Sequence, residues 1–385
     1  MRKIIKYIDK PLLIVTLILF TLGLIMVFSA SNVTAYMSHA VSPYNYFFKQ
    51  GMFLLVGLFL SIIMIKFNTK SYGFFSWGLM LLSIGALILL LIMGSAKNQA
   101  VSWFDLGIIS IQPSEFIKVI TIVFLANYYD GNQKKLKSWT SSLFPIGICV
   151  IIAALIFIQP DLGTTIIYTC IVAIIFFSVP IASSIKRKIL FIAVGIITIG
   201  ALTMLSLGKE VILERQLERF DFKRPCDRIL DNGNQVCNCY IAINNGGLFG
   251  LGLGKSVQKY LYLPEAHTDF IFPVIVEEMG LFGGFIILLL YAFLLFKLLS
   301  IARSTKDLTS SIIVYGTFSY LLLHMVVNLG GILALIPLTG VPLPFMSYGG
   351  SYMLNLIILL SLSQRVVIEN KQRKYRSEFR KIMGG

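Results

Sequence analysis

Residues 12–31 read LLIVTLILFTLGLIMVFSAS and carry no charged side chain. A helix of about 20 apolar residues crosses the hydrocarbon core of a bilayer, so this stretch reads as a membrane span. Just before it stand Arg2, Lys3, Lys6 and Lys10, and it closes on the small residues Ser29, Ala30 and Ser31. That layout imitates a secretory signal. The apolar core is longer than a signal core, however, and nine further apolar runs follow, so the first helix is read as uncleaved. The further runs cover about 46–66, 73–94, 114–128, 143–159, 163–180, 189–207, 270–300, 309–333 and 348–368. Composition agrees: 57% of the 385 residues are hydrophobic and 13% charged, where a soluble domain has about 45–50% and about a quarter. A water-soluble enzyme, a disordered chain and a single-span receptor are excluded. The expected fold is all-α, a polytopic integral membrane protein of about ten transmembrane helices.

The net charge of +15 falls on alternate sides of these runs. One side holds the basic N-terminus, Lys66 and Lys70, Lys134, Lys135 and Lys137, Lys186 to Lys188, Arg303 and Lys306, and the tail from Arg365 to Lys381. The opposite short loops hold almost none, Lys97 being the main exception. The positive-inside rule then puts both termini in the cytoplasm. The basic excess is topology and contact with anionic lipid rather than a nucleic-acid surface.

Residues 1–385 read as one membrane domain with one long extracytoplasmic loop, 208–269. Within it, Leu213, Leu217 and Phe220 share one face of a segment otherwise charged, which predicts an amphipathic helix on the outer membrane surface. The run NNGGLFGLGLG at 244–254 allows close backbone approach, either as a tightly packed or flexible loop or as a weak phosphate cradle. Cys149 and Cys170 lie inside spans as small buried hydrophobes. Cys226, Cys237 and Cys239 share the outer loop; their odd number and the lack of a nearby histidine argue against zinc, and whether they pair is open at this stage.

Charges kept inside a membrane cost roughly 2.5–3.5 kcal/mol each even on lenient scales. Glu115 and Lys118 are three apart and share a helix face, as a functional pair or as a structural ion pair. Asp161 follows Gln159-Pro160 and suits a helix N-cap before Thr164. Glu277 and Glu278 open the eighth run, where the helix dipole alone would favour one of them. His324 and Asn328, four apart, read as an interhelical hydrogen-bonding pair. All these groups fall in the outer half of the predicted bilayer. A transporter would show polar groups through its full depth, so the distribution favours chemistry at the outer leaflet.

Two segments face each other there. LPEAHTDF (263–270) puts Asp269 on the lip of a helix, with His267 two residues before it. IPLTGVPLPFMSYGGS (336–351) cannot form a regular helix, and irregular backbone at membrane depth must be shielded or line a cavity. A carboxylate, hydroxyls such as Ser347 and Ser351, and the cations Arg219, Lys255 and Lys259 would suit a phosphorylated, polyprenyl-linked sugar.

These same stretches resemble the SEDS family (shape, elongation, division and sporulation) of bacterial peptidoglycan polymerases. The likeness runs through WFDLG at 103–107, QPSE at 112–115 with Lys118, QPDLGT at 159–164, NGGLFG at 245–250, LPEAHTDF at 263–270 and PFMSYGGS at 344–351. GLGKSVQK at 252–259 looks like the FtsW-type division branch rather than the RodA-type elongation branch. The chain departs from the family pattern at Arg224-Pro225-Cys226 and Gly233-Asn234-Gln235, where three cysteines replace the usual residues.

The resemblance implies a glycosyltransferase that joins lipid II units outside the cytoplasmic membrane, at the septum in the division branch. It places the essential carboxylate at Asp269, as general base. Glu115, Lys118, Asp161, Arg219, Lys255, Gln258, Lys259, His267, Ser347 and Ser351 are then expected to contact or position substrate. Leaving-group charge would be met by these cations or by a divalent ion, Mg²⁺ or Mn²⁺; no metal ligands are assigned and no organic cofactor is expected. Expected partners are lipid II, a class B penicillin-binding transpeptidase and other division-complex membrane proteins, with no nucleic acid. A lipid II flippase, which would tolerate loss of Asp269, and a non-enzymatic division scaffold are the alternative readings.

Overall fold

A computed structural model describes residues 6–39, 42–93, 95–97, 100–105, 110–206, 225–228, 233–260 and 262–383. Among these, ten long helices fall where the ten apolar runs lie: α1 (Lys10–His39), α2 (Asn45–Lys66), α3 (Ser71–Met93), α4 (Pro113–Gly131), α5 (Trp139–Ile158), α6 (Leu162–Ser178), α7 (Ser183–Ser206), α9 (Ile271–Ser304), α10 (Leu308–Ile332) and α11 (Gly350–Met383). A shorter helix, α8 (Gly233–Gly246), belongs to the long loop. Seven of the long helices are long and apolar enough to cross a membrane by length and composition alone. The amphipathic segment 209–222, including Arg219, lies outside the described residues.

The bundle is organised around α10 and α11. In the apolar window of α11, 89% of residues are buried, and in that of α10, 61%, against 17% for α2. α10 packs on α4, α6, α9 and α11, while α2 lies along α11. The outer helices expose Leu55 at 70% and Phe74 at 85%; such surfaces suit lipid, not water. Buried tyrosines bring their own partners: the Tyr129 hydroxyl donates to the Ser142 carbonyl at 3.1 Å, and Tyr168 bonds Thr121 at 3.2 Å.

The fold is all-α as expected, with one local addition in a connection. Between α3 and α4 the chain forms a small antiparallel sheet, β1 (Ser95–Lys97), β2 (Ala100–Asp105) and β3 (Ser110–Ile111). Phe104 pairs with Ile111 and Ala96 with Val101. This connection packs against α3, α4 and α11, and its backbone polar groups bond across strands instead of along a helix. Part of the WFDLG motif thus sits on a strand.

The glycine-rich run has a packing role. α8 continues through Gly246, and the loop after it docks into a break in α9, where Gly280 adopts φ 74 and ψ 174. Leu251 N–H and Gly252 N–H donate to the Glu277 and Glu278 carbonyls at 2.9 and 3.0 Å. Leu281 N–H and Phe282 N–H donate back to Gly247 and Leu248 at 2.9 and 3.1 Å. Gly280 suits that break: its φ favours glycine, and a Cβ there would lie 2.2 Å from the Leu248 carbonyl oxygen.

Candidate functional site

The starts of α2, α4, α6, α9 and α11 meet the end of α10 at one end of the bundle and enclose a cavity of ≈ 890 Å³. The opposite end carries an ionic clamp, in which Lys70 pairs with Asp130 at 3.2 Å and Asp307 at 3.1 Å, and Arg365 with Glu369 at 2.9 Å. The polar end with the cavity is the end that the charge pattern predicts to be outside.

Asp269 lines the cavity two residues before α9. It is not the helix cap; Phe270 holds that position, without a side-chain capping bond. The backbone around it is pinned from three sides. Asn328 of α10 donates one amide hydrogen to the Asp269 carbonyl and the other to the Val341 carbonyl, each at 2.8 Å. The Ser347 hydroxyl donates to the Thr268 carbonyl at 2.5 Å and accepts from Leu343 N–H at 2.8 Å. Tyr348 N–H donates to the His267 carbonyl at 2.9 Å.

The carboxylate itself differs: among the described residues no hydrogen bond or ion pair reaches it. Gly340, at φ 65, lies against it, and a Cβ on that residue would come within 3.3 Å of Asp269 Oδ2. Burial, joined by the charge of Glu265, pushes the Asp269 carboxyl up to about 7. A carboxylate so placed is half-ionised near neutral pH and a competent proton acceptor there.

Other predicted residues do reach the cavity. Glu115 lines it, held by Lys118 at 2.7 Å and by the Tyr320 hydroxyl at 3.1 Å. Lys118 stands behind Glu115, fully buried, with its ammonium also 3.1 Å from His324 Nε2. The i+4 pair therefore does not act as a unit: His324 bonds α4, and Asn328 bonds the loops. Asp161 is the N-cap of α6, accepting from Thr164 N–H, and also lines the cavity while accepting from Gln112 Nε2, each at 3.0 Å. The Ser351 hydroxyl, on the cavity wall, accepts from Gln112 N–H at 3.2 Å. His267 is buried at the wall, 4.6 Å ring to ring from Tyr46.

Several do not. Lys255 is exposed on the glycine-rich loop, outside the cavity lining. Gln258 and Lys259 are buried behind that loop. Gln258 N–H donates to Glu277 at 3.2 Å, and Lys259 pairs with Glu278 at 2.9 Å. Glu277 and Glu278 sit beyond the first turn of α9, where they bind this loop rather than the helix dipole. Ser347 acts through the backbone bonds above. Arg219 lies outside the described residues.

Sequence reasoning missed Lys49, Gln112, Glu265 and the anchoring role of Asn328. Lys49 opens an apolar run, where a charge reads as the edge of a loop. Cys226 and Cys237 form a disulfide, which fixes residues 225–228 to α8; Pro225, Gln235 and Val236 line the cavity beside it. Cys239 is a free, buried thiol. Among the described residues no group of three or more His, Cys, Asp or Glu side chains converges as metal ligands.

A helical bundle with several membrane-length apolar helices and, at one end, a cavity lined by a carboxylate that no described residue pairs suits a membrane-embedded enzyme. The chain belongs to the FtsW/RodA/SpoVE family of cell cycle proteins, whose family profile matches residues 10–372. It is 37% identical to the probable peptidoglycan glycosyltransferase FtsW of Bacillus subtilis, over 97% of this chain and 95% of the relative. It is also 37% identical to stage V sporulation protein E of the same organism, over 89% and 92%. Among solved structures it resembles a chain of a peptidoglycan synthase complex that coordinates polymerization and crosslinking, with a TM-score of 0.75 at 24% identity over 94% of this chain and 97% of the other. The rod shape determining protein RodA of Thermus thermophilus gives 0.66 at 25% identity, over 94% and 96%.

Proposed function

We propose that this protein is an inverting glycosyltransferase that polymerises lipid II into β-1,4-linked glycan at the outer face of the bacterial cytoplasmic membrane, for septal wall synthesis. The observation that carries this reading is the Asp269 carboxylate: without a partner among the described residues, fixed in its backbone and poised near 7 in a cavity large enough for sugars. The names of the curated relatives support the activity.

In the reaction, Asp269 takes the proton from the 4-hydroxyl of the acceptor GlcNAc as that oxygen attacks the anomeric carbon of the donor MurNAc. The bond to undecaprenyl pyrophosphate breaks, and the α-linked donor becomes a β-linked product in one displacement. General-base catalysis of this kind contributes on the order of 10²–10⁴ in rate; holding two lipid-bound sugars in register supplies much of the rest. Glu115, Asp161 and Ser351 shape the wall. The activated pyrophosphate of the donor provides the driving force.

All ten long helices span the membrane in this proposal, with both termini cytoplasmic and residues 208–269 outside. The lysines and arginines that the sequence gathers in the connections on the side opposite the cavity support that orientation. A single-span class B penicillin-binding transpeptidase is the proposed partner, opening the cavity around Asp269; equal activity with and without it would count against this role. The testing assay is gel-resolved polymerisation of labelled lipid II by the purified chain with that partner, with and without Mg²⁺ or Mn²⁺.

A further inference from the structure

The cavity is rich in carboxylates. Asp269, Glu265, Asp161 and Glu115 all line it, and Lys118 offsets Glu115 from behind. A pyrophosphate brought to this cavity as a leaving group needs a cation. The sequence offered Arg219, Lys255 and Lys259; Arg219 lies outside the described residues, Lys255 is exposed away from the cavity and Lys259 is committed to Glu278.

Among the described residues one lysine or arginine lines the cavity: Lys49, in the second turn of α2. No carboxylate or hydrogen-bond acceptor among the described residues holds its ammonium, while its neighbours are held tightly. The Tyr46 ring lies tilted against His267 at 4.6 Å and meets Tyr348 edge-on at 4.9 Å. The buried Gln50 side chain donates to the Ser347 carbonyl at 3.4 Å and accepts from Gly349 N–H at 3.3 Å. The residues flanking Lys49 are thus tied to the same loops that fix Asp269, so its backbone is positioned relative to the base while its charge stays free.

Its location also fits a ligand that is part anion, part lipid. Lys49, Met52 and Phe53, spaced i, i+3, i+4 on one face, all line the cavity. Met52 is also 42% exposed, continuing an apolar stripe with Phe48, Leu55 and Phe59 at 69%, 70% and 64%. The cavity wall and the lipid-facing surface therefore meet at this turn of α2. We propose that Lys49 is the cation that binds the pyrophosphate of the polyprenyl-linked sugar, with the polyprenyl chain leaving along the α2 stripe; this rests on the glycosyltransferase reading.

The test uses the purified full-length chain as wild type, Lys49→Gln and Lys49→Arg. Two quantities are read: KM and kcat for labelled lipid II with the transpeptidase partner present, and binding of undecaprenyl pyrophosphate against uncharged undecaprenol to the chain alone. Loss of one charge-assisted contact should raise KM and weaken undecaprenyl pyrophosphate binding about tenfold in Lys49→Gln. Undecaprenol binding should stay unchanged and Lys49→Arg should stay close to wild type. Lys49→Gln that binds undecaprenyl pyrophosphate as wild type does overturns the proposal. A wild type that makes no polymer defeats the glycosyltransferase reading instead, and the binding comparison still decides the role of Lys49. Should Lys49→Gln fail to elute as a monodisperse species, Lys49→Met carries the same comparison.

Discussion

Replacing Asp269 by asparagine keeps the shape of the side chain and removes a carboxylate that the fold holds against its own stability. Burial and the nearby charge of Glu265 move this group from 3.8 to about 7. At 1.36 kcal/mol per pKa unit, keeping it ionised in the folded protein costs about 4 kcal/mol relative to an exposed aspartate. The sign follows from proton binding. The folded state holds the proton more tightly than the unfolded one, so the associated stability is complete below about pH 4, declines as pH rises and is gone above about 7. Asparagine does not titrate, and the other titrating groups cancel between the two proteins. Thermal unfolding of wild type and Asp269→Asn in the same detergent, from pH 5 to pH 8, should therefore show the variant gaining about 2–3 kcal/mol on the wild type across that window. A difference that does not change with pH, or one that changes the other way, would refute the claim that burial destabilises the Asp269 carboxylate.

Asn328→Ala removes both 2.8 Å bonds to the Asp269 and Val341 carbonyls; it should cost about 1–3 kcal/mol of stability and, by letting the base drift, roughly 10²-fold in kcat, read by unfolding and lipid II turnover together. Glu265→Gln removes the charge that adds to the elevation of Asp269, so the acidic limb of the pH profile of kcat/KM, expected near 7 in the wild type, should move to lower pH; an unmoved limb would contradict the coupling. Replacing Cys226 and Cys237 together by serine opens a bridge spanning a sequence separation of 11, which should lower stability by roughly 2–3 kcal/mol, and reductant should then no longer shift the unfolding temperature.

The helices were readable because each apolar run has to bury its surface or turn it to lipid, and charge alternation predicts their orientation without any knowledge of packing. Asp269 stood out as a candidate through the family resemblance of LPEAHTDF (263–270), since a carboxylate on the lip of a span could equally cap the helix; the structure gives that cap position to Phe270. Lys255, Gln258 and Lys259 went astray because a basic loop looks the same wherever the backbone carries it. The docking of residues 247–252 into the break at Gly280 decides that Lys259 turns inward to Glu278, and no local pattern encodes that meeting. Asn328 was seen as polar and intramembrane, yet its partners are carbonyls in two irregular loops distant in sequence. Lys49 looks like the rim of a span in the sequence; only the packing of α2 at the cavity brings it to the wall.

The central claim is that Asp269 is the base of a glycan polymerase, and gel-resolved polymerisation of labelled lipid II by the purified chain with its transpeptidase partner tests it most directly. Wild type should give a ladder of glycan, while Asp269→Ala and Asp269→Asn, folded and monodisperse, should give none. Equal polymer from either variant would contradict the assignment and move the chemistry to Glu115 or Asp161.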